Sequence, residues 1–183
     1  MNKIVFTLAF VLLPTLIFSQ SAFDKFDGPE EITAVTVTKK MFQMMGKVDS
    51  KDKDAQQFLA LVKKLDNLKV FTTDNTRWAT DMKATTDKYL KTAGLEELMR
   101  INDKGQNIKI MVKSGNSDTH IRELLMFIEG SGKGNETVLM TLTGDFDLND
   151  ISVLTDKMNF PGGNDLKNAT KGAKGPKGPK GAK

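Results

Sequence analysis

The chain has 183 residues, one histidine, no cysteine and a formal net charge of +4. This composition excludes disulfides, thiol nucleophiles, thiolate metal sites and lipid attachment through a cysteine, and the length predicts one domain with additional segments. Residues 1–20 carry one lysine, and residues 167–183 carry six lysines and no acid, so the body, residues 21–166, has a net charge of −3. A nucleic-acid-binding domain carries its basic surface on the fold itself, so specific nucleic-acid recognition is not expected.

Residues 1–20 have the pattern of a cleavable secretory signal peptide. Lys3 precedes an apolar run over residues 4–18, and Ser19 and Gln20 follow it. A transmembrane anchor is the alternative, but the run is shorter than the roughly 20 residues of a span, and Pro14 interrupts it. We therefore expect a periplasmic or secreted protein with no transmembrane span after signal removal. Because no cysteine follows the signal, the protein is expected to be released without a lipid anchor.

The first half of the body predicts a strand, two helices and a second strand. Residues 32–38, ITAVTVT, alternate in polarity as a half-buried strand does. Thr38 then caps a short helix over residues 39–48, and Asp49 or Ser50 caps an amphipathic helix that ends near Leu65. A turn at residues 66–67 leads to a strand over residues 68–73.

The second half predicts one long helix followed by a run of strands. Thr76 caps a helix that ends near Ala93, with Gly94 at the position where a glycine ends a helix. Four strand-like runs follow, over residues 95–101, 108–112, 121–128 and 137–142, and Asp147 caps a last helix. This order predicts an α+β domain over residues 21–160, with a mostly antiparallel sheet of about five to six strands and helices packed on one face.

Residues 161–183 predict a disordered basic tail that is rich in Lys, Gly and Pro. Four Gly-X-Lys triplets in GAKGPKGPKGAK are far too few for a collagen triple helix. Such a composition cannot bury enough apolar surface to form a core. A lysine near an anionic membrane surface contributes about 1 kcal/mol to binding. Six lysines of the tail are predicted to contact lipid phosphate or acidic polysaccharide: Lys167, Lys171, Lys174, Lys177, Lys180 and Lys183.

No catalytic or metal-binding constellation stands out in the sequence. His120 is the only histidine, whereas imidazole metal sites normally use two or three. The spacing of Asp145, Asp147, Asn149 and Asp156 is similar to a calcium loop, but Asp150 stands where that loop needs glycine, and helix capping by Asp147 explains the same residues. Gly130 and the glycines that follow it read as a hairpin loop and not as a phosphate loop. No cofactor is therefore predicted.

Two further patterns have an ordinary structural interpretation. Met41, Met44 and Met45 could supply thioether ligands to Cu(I), but methionines at helical spacing are more often core residues. The adjacent acids Glu96 and Glu97 point to opposite faces of a strand, so they cannot form an acid–base pair by themselves. Carboxylates distant in sequence can still converge on folding, and a carboxylate-dependent hydrolase or lyase is the alternative function.

Four stretches carry a resemblance to a known family. They read FDKFDGPEEITAVTVTKKMFQMM, GLEELMRINDKGQNIKIMVK, IRELLMFIEG and VLMTLTGDFDLNDISVLTDKM. In pattern and order the body resembles the DUF4252 family, a domain of unknown function in exported proteins of Bacteroidetes. The resemblance implies a small envelope protein and brings no catalytic residues. We therefore predict a non-enzymatic module that binds an envelope protein or an anionic surface, through the sheet face or edge that helices leave uncovered. The oligomeric state is not predicted.

Overall fold

The computed structural model describes residues 22–47, 51–103, 105–117, 119–130, 136–151, 153–154 and 167. The predicted signal peptide and the tail lysines after Lys167 lie outside these residues. Within the described part, the strands are β1 (Thr33–Thr38), β2 (Leu65–Thr73), β3 (Glu96–Asp103), β4 (Gln106–Ser114), β5 (His120–Gly130) and β6 (Thr137–Asp147). The α-helices there are α1 (Lys39–Met45), α2 (Lys53–Val62) and α3 (Thr76–Ala93).

The described strands form one antiparallel sheet in the order β1-β2-β6-β5-β4-β3. The last four strands pair with their neighbours in sequence, as consecutive hairpins do. β2 then pairs with β6, and β1 pairs with β2 at the edge. The predicted fold class, α+β with a mostly antiparallel sheet of five to six strands, is confirmed.

Both faces of the sheet are covered by apolar cores. β5 shows the reason, because Leu124 to Ile128 are all buried and neighbouring residues in a strand point to opposite faces. On one face, which we name the first core, α1 and α2 pack over the sheet, with members that include Phe42, Leu61, Val70, Met126 and Met140. On the other face, the second core, α3 and the N-terminal segment pack over the sheet, with members that include Phe26, Phe71, Met82, Phe127 and Leu139. The expectation that helices cover only one face was wrong, because the central strands are apolar at successive positions.

The ends of α3 follow local sequence rules. The side chain of Asn75 accepts hydrogen bonds from the backbone N–H of Arg77 at 3.0 Å and of Trp78 at 3.3 Å. Asn75 is therefore the N-cap, one residue before the predicted Thr76. At the other end Gly94 adopts the left-handed conformation, with φ of 67°, as predicted.

The start of β2 differs from the sequence prediction. Residues 66–67 were expected to form a turn, but the strand begins at Leu65 and includes them. A bulge interrupts the pairing with β6 between Leu65 and Asn67, and Leu65 pairs with Gly144. Polar residues that look like a turn are thus accommodated in the strand by a tertiary contact with β6.

Candidate interaction surface

The two edges of the sheet differ in how they are protected against pairing with another strand. β3, at one edge, carries Glu96, Glu97 and Arg100, and a bulge interrupts its pairing with β4 between Glu97 and Met99. Charged side chains and bulges are the devices by which proteins prevent edge strands from pairing. The β3 edge is therefore blunted.

β1, at the opposite edge, has none of these devices. Its sequence TAVTVT contains neither a charged residue nor proline. Its register with β2 runs without interruption from Thr33 opposite Thr72 to Thr38 opposite Asn67. Among the described residues, no backbone group pairs with the outer side of β1. Every second residue of an antiparallel edge strand directs both its N–H and its C=O outward, so β1 presents a regular row of unused donors and acceptors.

The exposed large apolar side chains of the described residues lie on β1 and on the helix that follows it. The exposed fraction is 48% for Val35, 47% for Met41 and 51% for Met44. Val35 pairs with Val70, a first-core residue, so Val35 lies on the first-core face of the sheet. α1 packs on that same face through Phe42. We name Val35, Met41 and Met44 the apolar rim.

The methionines of α1 divide between core and surface. Met45 is partly buried against the first core, as predicted for a methionine at helical spacing. Met41 and Met44 were expected in the core too, and that expectation was wrong. The reason is that α1 is only 7 residues long, and its single buried position is taken by Phe42. A helix this short packs only one narrow row of residues against the sheet, and the neighbouring positions face solvent.

Opposite charges flank the two ends of β1. Glu30 and Glu31 precede the strand, Lys39 and Lys40 follow it, and all four residues are exposed. Lys39 forms an ion pair with Asp66 of β2, with 2.7 Å between Nζ and Oδ1. No ion pair within the described residues involves the other three. The neutral edge strand thus runs from an acidic end to a basic end.

The single histidine lies at the first position of β5. Its Nδ1 is 3.1 Å from Oγ of Ser117, three residues earlier, and in the sheet His120 is opposite Asp147. In a Ser–His–Asp triad the serine bonds Nε2 and the acid bonds Nδ1. Here the serine is at Nδ1, so this contact closes a local turn and does not have the geometry of a triad.

Asp147 has the capping role that the sequence predicts. Its Oδ1 accepts hydrogen bonds from the backbone N–H of Asn149 at 2.8 Å and from the side-chain amide of the same residue at 2.7 Å. Burial works to raise the pKa of Asp147. The hydrogen bonds from Asn149 and Thr119, together with the nearby charge of His120, outweigh burial and lower this pKa. The twelfth position of the calcium-like pattern, Asp156, lies outside the described residues.

A groove of about 530 Å³ lies between α3 and the N-terminal segment. Among the described residues that line it, Asp81 is the one carboxylate, and it pairs with Nζ of Lys25 at 2.7 Å. Tyr89 also lines the groove and donates a hydrogen bond to Glu123 at 2.7 Å. Burial, followed by the hydrogen bond and charge of Glu123, raises the pKa of Tyr89. Two-carboxylate hydrolysis needs a pair of acids flanking the reacting bond, and this groove presents a single, ion-paired acid.

Of the predicted tail contacts, only Lys167 is among the described residues, where it is partly buried. The other five lysines lie outside them. In the described part of the chain, no three His, Asp or Glu side chains are grouped closely enough to hold a metal ion. No helix there is both long and apolar enough to cross a membrane.

Residues 26–154 match the family model of a domain of unknown function, DUF4252. The chain belongs to the DUF4252 family. The matched region spans the whole described sheet, including the β1 edge, the first core, the second core apart from Phe23, and the capping residue Asp147. No curated protein matches the chain, and no solved structure matches it.

Proposed function

We propose that this DUF4252 protein is an exported, non-enzymatic component of the bacterial envelope that binds through two elements. The β1 edge binds an extended protein strand, and the basic C-terminal tail contacts anionic surfaces. The observation that carries the proposal is the contrast between the sheet edges, since β3 is charged and bulged whereas β1 is neutral and regular. The signal-like residues 1–20 support export, and the six lysines of residues 167–183 support the surface contact.

Strand addition is a well-understood binding mode that fits the β1 edge. An extended segment beside β1 would form main-chain hydrogen bonds with its outward donors and acceptors, and side-chain pockets would supply the specificity. On the first-core face such a strand would meet Val35 and approach the methionines of α1. On the other face it would lie beside Thr36, which pairs with Lys69 of β2. The preferred ligand strand therefore alternates between apolar and polar residues.

A charge placed on the edge tests the first element. When another strand pairs with β1, Val35→Lys would bury a positive charge beside that strand. In the isolated domain this position is half-exposed, so the lysine stays in solvent. Gln57→Lys on α2 is the matched control, because it adds the same charge at an exposed helical position. We expect Val35→Lys, and not Gln57→Lys, to lose bound protein in pull-downs from envelope extract and to reduce self-association in light scattering. If both variants behave as the parent protein in both assays, the β1 edge is not a binding site.

Vesicle binding tests the second element. The chain from residue 21, with and without residues 167–183, is sedimented with vesicles of anionic phospholipid and with vesicles of neutral phospholipid. We expect the tail to be required for anionic vesicles only, with binding lost at high salt because the contact is screened. Equal binding of both forms to anionic vesicles would rule out the tail as the surface contact.

A further inference from the structure

We propose that the strand that pairs with β1 is β1 of a second copy of this chain, so that the protein is a two-fold symmetric dimer with one continuous sheet. This inference rests on the proposed function of the β1 edge and names its partner. Its basis is the order of the charges that flank the strand, combined with the rules of antiparallel pairing.

Symmetry restricts how two copies of β1 can pair. A two-fold axis perpendicular to the sheet keeps each residue on its own face, and residues directly opposite in an antiparallel pair share a face. The pairing must therefore be centred on a residue and not between two residues. In the register centred on Val35, this side chain faces its own copy, and Thr33 faces Val37 of the second chain. Both contacts lie on the first-core face, where the apolar rim is exposed.

The same register brings the flanking charges together. Glu30 and Glu31 lie in the turn before β1, and Lys39 and Lys40 begin α1, so all four flank the paired strands. In the antiparallel register centred on Val35, the acidic end of one copy therefore lies beside the basic end of the other. Within one chain these charges stand at opposite ends of a strand of 6 residues, which spans about 20 Å, so they cannot meet. A parallel second copy would place like charges side by side. Only the antiparallel arrangement places the acidic end of each copy beside the basic end of the other, and it does so twice by symmetry.

Burial of the apolar rim gives the pairing a further contribution. Val35, Met41 and Met44 expose about half of their surface in the single chain. Beside a second β1, Val35 would meet Val35 of the partner copy across the axis, and Met41 and Met44 would lie towards the start of the partner's β1. A strand from another protein would need the same alternation of apolar and polar residues as β1, with flanking charges that are complementary when the two strands run antiparallel. A second copy of β1 has both properties. A dimer would also carry two basic tails, and two linked contacts bind a surface more tightly than one.

Reciprocal charge reversal tests this pairing. Glu30→Lys and Lys40→Glu each place two like-charged contacts in the symmetric dimer, and both residues are exposed, so the fold should tolerate them. Glu96→Lys on the far edge strand is the matched control, with the same change of charge at an exposed position. Dissociation constants are measured by sedimentation equilibrium on the chain from residue 21, at low and high salt, with circular dichroism to check folding.

We expect the parent protein and Glu96→Lys to dimerise equally, and each single reversal to weaken the dimer about tenfold at low salt. The double variant Glu30→Lys/Lys40→Glu should recover the parent affinity, and an equimolar mixture of the two single variants should form a heterodimer. A parent protein that is monomeric throughout, or a double variant as weak as the singles, overturns the inference. If the parent is monomeric while Val35→Lys loses a captured envelope protein, this inference fails and the proposed function stands. If Val35→Lys changes neither property, both fail.

Discussion

Among the glycines that the structure describes, Gly144 of β6 should be the one at which a single methyl group costs the most stability. It lies opposite Leu65 at the bulge where β2 begins, and the next residue, Asp145, donates its backbone N–H to the carbonyl of Lys64 at 2.9 Å. A Cβ on Gly144 would lie 2.9 Å from Cα of Leu65 and still closer to the carbonyl oxygen of Lys64. These are backbone atoms and cannot rotate away as a side chain does. Gly144→Ala must therefore push the start of β2 away from β6.

The cost follows from two effects. Forcing an extra methyl group into a packed site typically costs about 1–3 kcal/mol. Straining or losing the hydrogen bond from Asp145 to Lys64 adds about 0.5–1.5 kcal/mol. We expect Gly144→Ala to lower the free energy of unfolding by about 2–4 kcal/mol in total. Gly94→Ala is the comparison, because no atom lies within 4 Å of its Cβ position and the cost there is only the left-handed backbone, about 1–2 kcal/mol.

Urea unfolding followed by the fluorescence of Trp78, the single tryptophan, measures both variants. With a slope of about 2 kcal/mol per molar urea, Gly144→Ala should lower the midpoint by about 1–2 M, and Gly94→Ala by about half that. A midpoint for Gly144→Ala at or above that of Gly94→Ala would show that the bulge relaxes at little cost. The close approach of β2 and β6 would then not constrain this position.

Three further predictions concern the second core, the single tyrosine and the cap. Met82→Ala should cost about 2–5 kcal/mol in urea unfolding, because this fully buried side chain attaches α3 to the sheet; a loss below about 1 kcal/mol would contradict that role. Tyr89 is the only tyrosine, so tyrosinate absorbance reports its titration alone. Because the pKa of Tyr89 is raised in the folded state, the contribution of Tyr89 to stability is full below pH 10.0 and is lost as pH rises towards the folded-state pKa. Glu123→Gln removes the negative charge but keeps a carbonyl acceptor, so it should shift that titration to lower pH, and an unchanged curve would exclude the charge of Glu123 as a cause. Asp147→Ala should cost about 1 kcal/mol near neutral pH. Because the folded-state pKa of Asp147 is lowered, the contribution of Asp147 to stability is present above pH 3.8 and is lost as pH falls further. The stabilities of the parent protein and of Asp147→Ala should therefore converge in acid. A difference that stays constant with pH would argue against a charged cap.

Local patterns in the sequence determined the kinds of element and much of their order. The alternation in ITAVTVT marks β1, and the glycine at position 94 ends α3 with the expected left-handed conformation. Asp147 caps the element that follows β6, as its position before an apolar face predicts. These features depend on interactions between residues a few positions apart, so a single sequence contains the information needed to predict them.

The candidate site depended on contacts that are distant in sequence. Strand order decides that β1 lies at an edge, since β2 pairs on its other side with β6, about seventy residues later in the chain. The same packing places α3 opposite α1 and α2, and leaves Met41 and Met44 exposed. A threonine–valine strand has the same sequence pattern whether its outer side is paired or open. Only the tertiary structure, through the position of β1 in the sheet, shows that its backbone groups and flanking charges are available to a partner.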